Sequence, residues 1–187
     1  MISVKGTACA DLERVLYTRE EIAAKVEEIG ARITADYQGK SPVMICILKG
    51  AALFYADLIR CIDLPLTLEF MALSSYGSAT KSSGVVKVVK DLDRDIVGKD
   101  VIVVEDIVDS GVTMNYIIGM LEHRGASSIR IAALMDKPSG RRNNHVTVDY
   151  SGFSVPDEFV VGYGLDFDQK YRNLPDIGVL RPAVYEK

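Results

Sequence analysis

The run from Val101 to Thr113 constrains the fold of this chain more than any other stretch. Val101-Ile102-Val103-Val104 is a short β-branched segment, and such segments, bounded by turn residues, form the core strands of parallel sheets. Glu105 and Asp106 then put two carboxylates at the strand's end. A core tolerates such groups only where something compensates them. Ser110-Gly111 next turns the chain into a helix. The carboxyl ends of parallel strands are where open α/β sheets bind ligands, so acid, hydroxyl and glycine meet where chemistry can occur.

Ser110, Gly111, Val112 and Thr113 offer consecutive backbone N–H groups at a helix start, together with two hydroxyls. Free N–H donors, the positive end of a helix dipole and a glycine that admits close approach make a phosphate cradle. Asp109 stands beside this cradle, where its charge would repel a phosphate, so its side chain points toward a proton-bearing part of a ligand. Glu105 and Asp106 suit a vicinal diol, a divalent metal, or both. Together these groups suggest a ribose phosphate. A strand with a solvated acidic turn would explain a lone Glu-Asp pair. It does not explain the pair, Asp109, Ser-Gly and Thr113 in one register.

The remaining sequence sets bounds. A chain of 187 residues, 48% of them hydrophobic, is read as one globular domain with a sizeable core. The formal net charge of −4 argues against general nucleic-acid binding, so an anionic substrate needs a locally positive site or metal ions. Cys9, Cys46 and Cys61 have no metal-ligand spacing, and Cys46 in an apolar strand reads as a small buried hydrophobe. With no apolar run of bilayer length and no signal core, the expectation is a soluble, cytoplasmic protein without membrane contact.

Thr18 and Glu21 form a capping box, with Ile22, Val26, Ile29 and Ile33 at helical spacing, predicting a helix that ends near Gly39. Val43–Leu48 reads as a buried strand, followed by Lys49-Gly50 and a helix from about Ala51. Further strands are expected at 66–72, at 85–89 (returning toward the central strand at Val101) and at 129–134, with a helix over 113–123. Ser74 to Gly84 reads as a loop. Strand–helix alternation predicts an α/β, doubly wound, mainly parallel sheet. The expected core spans about 36–150, with a small cap from about 1–17 and 152–187 that includes short strands at 159–161 and 177–180. His123 and His145 are isolated. Gly162 and Gly164 do not complete a dinucleotide fingerprint.

The run from strand through Glu105-Asp106 to Asp109-Ser110-Gly111-Val112-Thr113 resembles the phosphoribosyl-diphosphate motif of type I phosphoribosyltransferases. Other segments follow in the same family's order, and the resemblance covers most of Leu48–Pro182. Leu48-Lys49-Gly50 alone could be a routine strand-to-helix turn. It resembles the family's pyrophosphate loop, in which the Lys–Gly peptide can be cis. Ser74-Ser75-Tyr76-Gly77 could be a plain connector, but is similar to a purine-transferase lid, which implicates Ser75 and Tyr76. Asp136-Lys137-Pro138 matches the purine-binding Asp-Lys-Pro, which implies that Lys137 donates to a 6-oxo group. Val155 to Pro175 resembles the C-terminal motif of hypoxanthine-guanine phosphoribosyltransferases of the short bacterial type. There Phe159 would stack on the base, the Val160 backbone would read its edge, Asp166 would hold a second metal ion through water, and Arg172 would contact pyrophosphate. Read without the family, Phe159 is a core residue and Arg172 a surface charge. Arg141 has no secure place in the alignment.

The resemblance implies a purine salvage enzyme that transfers the phosphoribosyl group from 5-phosphoribosyl 1-diphosphate to N9 of hypoxanthine or guanine. It implies Mg2+ at Glu105 and Asp106, Asp109 as the acid–base residue, and a homodimer or homotetramer. A transferase for xanthine or another base, and a non-catalytic phosphoribosyl-diphosphate-binding regulator, are the alternatives.

Overall fold

A computed structural model describes residues 10–75, 86–138, 146–155 and 157–186. The strand run Val43–Leu48 (β2) lies in the middle of a six-stranded sheet. It pairs in parallel with Thr67–Ser75 (β3) on one side and with Asp100–Val108 (β5) on the other. Ser128–Asp136 (β6) and Tyr150–Ser154 (β7) continue the parallel array beyond β5. Val86–Lys90 (β4) pairs antiparallel with β3 at the opposite edge. The expected return of 85–89 toward Val101 is therefore corrected: the segment folds back on the strand it has just left. That hairpin pairing, Ser74 with Lys87 and Ser75 with Val86, also draws Ser74 and Ser75 out of the expected loop and into β3.

From β2 the chain builds outward through β3 and β4, then crosses back to β5 and builds outward the other way. The reversal falls between β2 and β5. Their pairing ends at Cys46 with Val104, so Leu48 and Glu105 lie beyond the last rung, where the strands part and leave a crevice. A doubly wound sheet binds its ligands at such a point.

Helices cover both faces. Arg19–Asp36 (α1) starts with the predicted capping box, in which Thr18 N donates to Glu21 Oε2 at 2.8 Å and Glu21 N to Thr18 Oγ1 at 3.3 Å. Its stripe of Ile22, Val26, Ile29 and Ile33 packs with Met44, Cys46, Ile102 and Val104. Burial of each such side chain contributes roughly 1.5–3 kcal/mol. Ala52–Leu58 (α2) completes this face through Phe54, Tyr55 and Leu58. Val112–His123 (α3) covers the other face, where Met114, Ile117 and Leu121 meet Val101, Val103 and Ile131. The alternation of β5 is thus read on both sides. Cys46 is fully buried, and burial pushes its thiol up to about 12, as suits an inert core residue.

Leu12–Tyr17 (β1), Val160–Val161 (β8) and Ile177–Leu180 (β9) form a separate three-stranded antiparallel sheet, the hood, closed by the short helix Pro182–Tyr185 (α4). No described helix is long and apolar enough to cross a membrane.

Candidate functional site

Strand register explains why distant residues meet at the crevice. Val108 pairs with Asp136, and Asp136 with Ser154. The residue just past β5 is Asp109, and the residue just past β6 is Lys137. Lys137 N donates to Val108 O at 3.0 Å and Val155 N to Asp136 O at 3.0 Å, so the ladder runs one rung past the strands. This sets Lys137 Nζ 3.9 Å from Asp109 Oδ2 and 2.5 Å from Asp157 Oδ1.

After β5 the chain turns at Gly111, whose φ of +77° suits a residue without Cβ. Among the described residues no side chain caps α3, so the backbone N–H groups of its first turn, which have no partner within the helix, lie beside a cavity of about 210 Å³. Glu105, Asp109, Ser110, Gly111, Thr113 and Met114 line that cavity. Val112 opens α3 but does not line it. Free N–H groups at a helix start, joined by two hydroxyls, are what a phosphate requires.

Glu105 and Asp106 are half-buried beside this cavity. Burial holds the Glu105 carboxyl well above the ordinary carboxylate range, and the neighbouring Asp106 charge adds to the effect. Burial also raises Asp106, against opposing hydrogen bonds from Glu105 and the Ile107 N–H and the nearby Arg172 charge. Two hard oxygen donors that lack full compensation fit a divalent cation such as Mg2+. Among the described residues no three His, Cys, Asp or Glu converge into a protein-only cage. Mg2+ is commonly held in that manner, by one or two carboxylates with the remaining positions left to substrate oxygens and water.

The β2 turn faces the pair. A Cβ on Gly50 would lie 1.8 Å from Asp106 Oδ2, so any side chain there would displace the carboxylate from this position. The cis peptide is Leu48–Lys49, not the expected Lys49–Gly50. Leu48 is the last β2 residue in register with β3, so the backbone leaves the sheet at that peptide. Lys49 is exposed, and its Nζ donates to Gln169 Oε1 at 3.2 Å.

The hood supplies the other wall. Gly164 adopts φ +103°, and a Cβ there would meet Gly50 O at 2.0 Å. Arg172 Nη1 donates to Gly164 O at 2.7 Å, and its Nη2 lies 2.7 Å from Asp166 Oδ1. Arg172 Nε is buried without a partner among the described residues. Asp166 Oδ2 also accepts from Gln169 N at 2.8 Å. The two residues expected to hold pyrophosphate and a second metal are thus paired with one another. Phe159 is 38% exposed, contrary to its reading as a core side chain. Its ring stacks on Tyr185 (5.0 Å, 23°) and meets Phe167 edge-on (5.6 Å, 89°). Val160 is buried and pairs with Val179.

Of the residues singled out in the sequence, Ser75 ends β3, whereas Tyr76 and most of the expected lid, Arg141, Cys9 and His145 lie outside the described residues. Sequence reasoning missed Asp157, which pairs with Lys137, and the Tyr163 hydroxyl, which donates to Asp57 on α2 at 2.6 Å. A Gly-Tyr-Gly run was the one available signal for the latter.

A phosphoribosyl transferase domain model matches residues 15–168. The chain is 54% identical over 176 residues to a hypoxanthine-guanine phosphoribosyltransferase of Bacillus subtilis, covering 94% of this chain and 97% of that protein. A counterpart from Streptococcus thermophilus is 49% identical over 177 residues, covering 95% and 98%. The crystal structure of a hypoxanthine phosphoribosyltransferase from Staphylococcus aureus superposes with a TM-score of 0.94 at 45% identity, covering 99% of this chain and all of that one.

Proposed function

The chain belongs to the phosphoribosyl transferase family, and from that premise we propose that it is a purine salvage enzyme. It joins N9 of a 6-oxopurine, hypoxanthine or guanine, to C1 of 5-phosphoribosyl 1-diphosphate and releases pyrophosphate. The observation that carries this reading is the 3.9 Å between Lys137 Nζ and Asp109 Oδ2. O6 and N7 are neighbours on one edge of a 6-oxopurine. An ammonium beside a carboxylate matches that edge, donating to O6 while the carboxylate takes a proton from N7. An aminopurine would present a donor to Lys137 and leave it unpaired.

The residues divide the work. The 110–113 cradle anchors the 5-phosphate, and this remote binding energy positions the reacting carbon. As the bond from C1 to the pyrophosphate oxygen breaks and N9 closes on C1, Asp109 takes the N7 proton, and it returns that proton in the reverse reaction. Glu105 and Asp106 would hold the ribose diol and Mg2+, and Asp166 would hold a second ion through water. Mg2+ when bound supplies neutralising charge to the leaving pyrophosphate. Lys49, the Gly50 backbone and Arg172 face the pyrophosphate, Phe159 stacks on the base, and the Val160 backbone reads its edge. Ser75, at the end of β3, and Tyr76 contact the substrates in this reading. The whole chain acts as one transferase unit in the cytoplasm, as a homodimer or homotetramer.

Magnesium-dependent pyrophosphate release tests the reading with hypoxanthine, guanine, xanthine and adenine in turn. Release with hypoxanthine or guanine and none with adenine is expected. Release with xanthine alone would reassign the base. Binding of phosphoribosyl diphosphate without release in any arm would make the protein a regulator.

A further inference from the structure

Lys137 stands between two carboxylates at unequal distances. Its Nζ is 2.5 Å from Asp157 Oδ1 but 3.9 Å from Asp109 Oδ2, which is beyond hydrogen-bond reach. Only 14% of the lysine side chain is exposed, so the ammonium relies on these partners more than a surface lysine would. The Lys137 ammonium in turn holds the Asp157 carboxyl below the usual carboxylate range. Asp157 itself is 84% exposed and packs little, but residues near it in the chain make contacts of their own. Val155 N donates to Asp136 O at 3.0 Å, and Glu158 pairs with Arg14 of β1 at 2.5 Å.

We propose that Asp157 is a positioning residue that holds Lys137 off Asp109 so that both can meet the purine edge. The inference rests on the roles given to Lys137 and Asp109 above. An ammonium has three donors. With one spent on Asp157, others remain for O6, and the Asp109 oxygen remains open to the N7 proton. Without the Asp157 charge, Asp109 is the carboxylate left within reach among the described residues. The ammonium would close the gap and occupy the atoms that O6 and N7–H each require. Asp157 therefore sets selectivity for the 6-oxopurine edge without touching the base.

Steady-state kinetics of the full chain, with Asp157→Asn, Asp157→Glu, Lys137→Gln and the double variant Lys137→Gln/Asp157→Asn, test this. Asp157→Asn should lower kcat/KM for hypoxanthine about tenfold or more, the scale of one charged hydrogen bond. KM for phosphoribosyl diphosphate and the melting temperature should stay at wild-type values. Asp157→Glu should restore most of the loss, and Asp157→Asn should add nothing to Lys137→Gln, because it acts through that lysine. Wild-type hypoxanthine kinetics in Asp157→Asn, an equal rise in both KM values, or full multiplicativity in the double variant would overturn the proposal. Wild-type hypoxanthine kinetics in Lys137→Gln would instead overturn the role of Lys137, and the inference with it.

Discussion

The wall assigned to the sugar phosphate in the proposed function comes from one unbroken stretch, Glu105 to Thr113, the end of β5, its turn and the start of α3. The wall assigned to the base in this reading draws Lys137 from just past β6 and Asp157 and Phe159 from the approach to the hood, while Arg172, from a later turn, stands on the pyrophosphate side. The first wall is fixed by local backbone geometry: a strand end, a glycine at φ +77° and an uncapped helix start. The second depends on long-range seams, namely the β5–β6–β7 register, Gly164 against Gly50, and Tyr163 to Asp57. In this reading the 5-phosphate cradle can stay as it is while the base half is retuned, since the cradle does not depend on how the hood sits.

Asp109 lies at the junction, so its loss should have the largest effect. Asp109→Asn should cut turnover roughly 10²–10⁴-fold, the usual weight of a positioned acid–base group. Binding of Mg2+–phosphoribosyl diphosphate, measured by calorimetry, should persist. Turnover near wild type would remove Asp109 from the chemistry.

The seam between the halves gives the next effect. A Cβ at Gly164 would lie 2.0 Å from Gly50 O, so Gly164→Ala must push the hood off the β2 turn. Overpacking of this kind costs about 1–3 kcal/mol, and a φ of +103° adds backbone strain. Urea unfolding reads the loss, and KM for pyrophosphate in the reverse reaction should rise with it. Unchanged stability would mean that the hood is not seated on this turn.

This difference also explains what could be read from the sequence. In the 105–113 stretch, spacing along the chain is spacing in space, so cradle, acid pair and Asp109 were all legible. The stripe of α1 and its capping box were legible for the same reason. Lys137 stood out only through its resemblance to a known motif, because its place beside Asp109 follows from the pairing of Val108 with Asp136. Asp157 carried no signal, since nothing in a Pro-Asp-Glu-Phe run says which cation it meets. The reading of β4 failed because hairpin return and parallel crossover look alike in a short β-branched run. Phe159 was ambiguous for a related reason: its partners Phe167 and Tyr185 come from a later turn and from α4.

The central claim, two half-sites with separate physical origins, is tested most directly by KM values for both substrates in Thr113→Ala and Lys137→Gln. Thr113→Ala should raise KM for phosphoribosyl diphosphate about fivefold, the worth of one neutral hydrogen bond, and spare hypoxanthine. Lys137→Gln should raise KM for hypoxanthine about tenfold or more and spare phosphoribosyl diphosphate. If either variant moves both KM values together, the division of the site between a local wall and an assembled one is wrong.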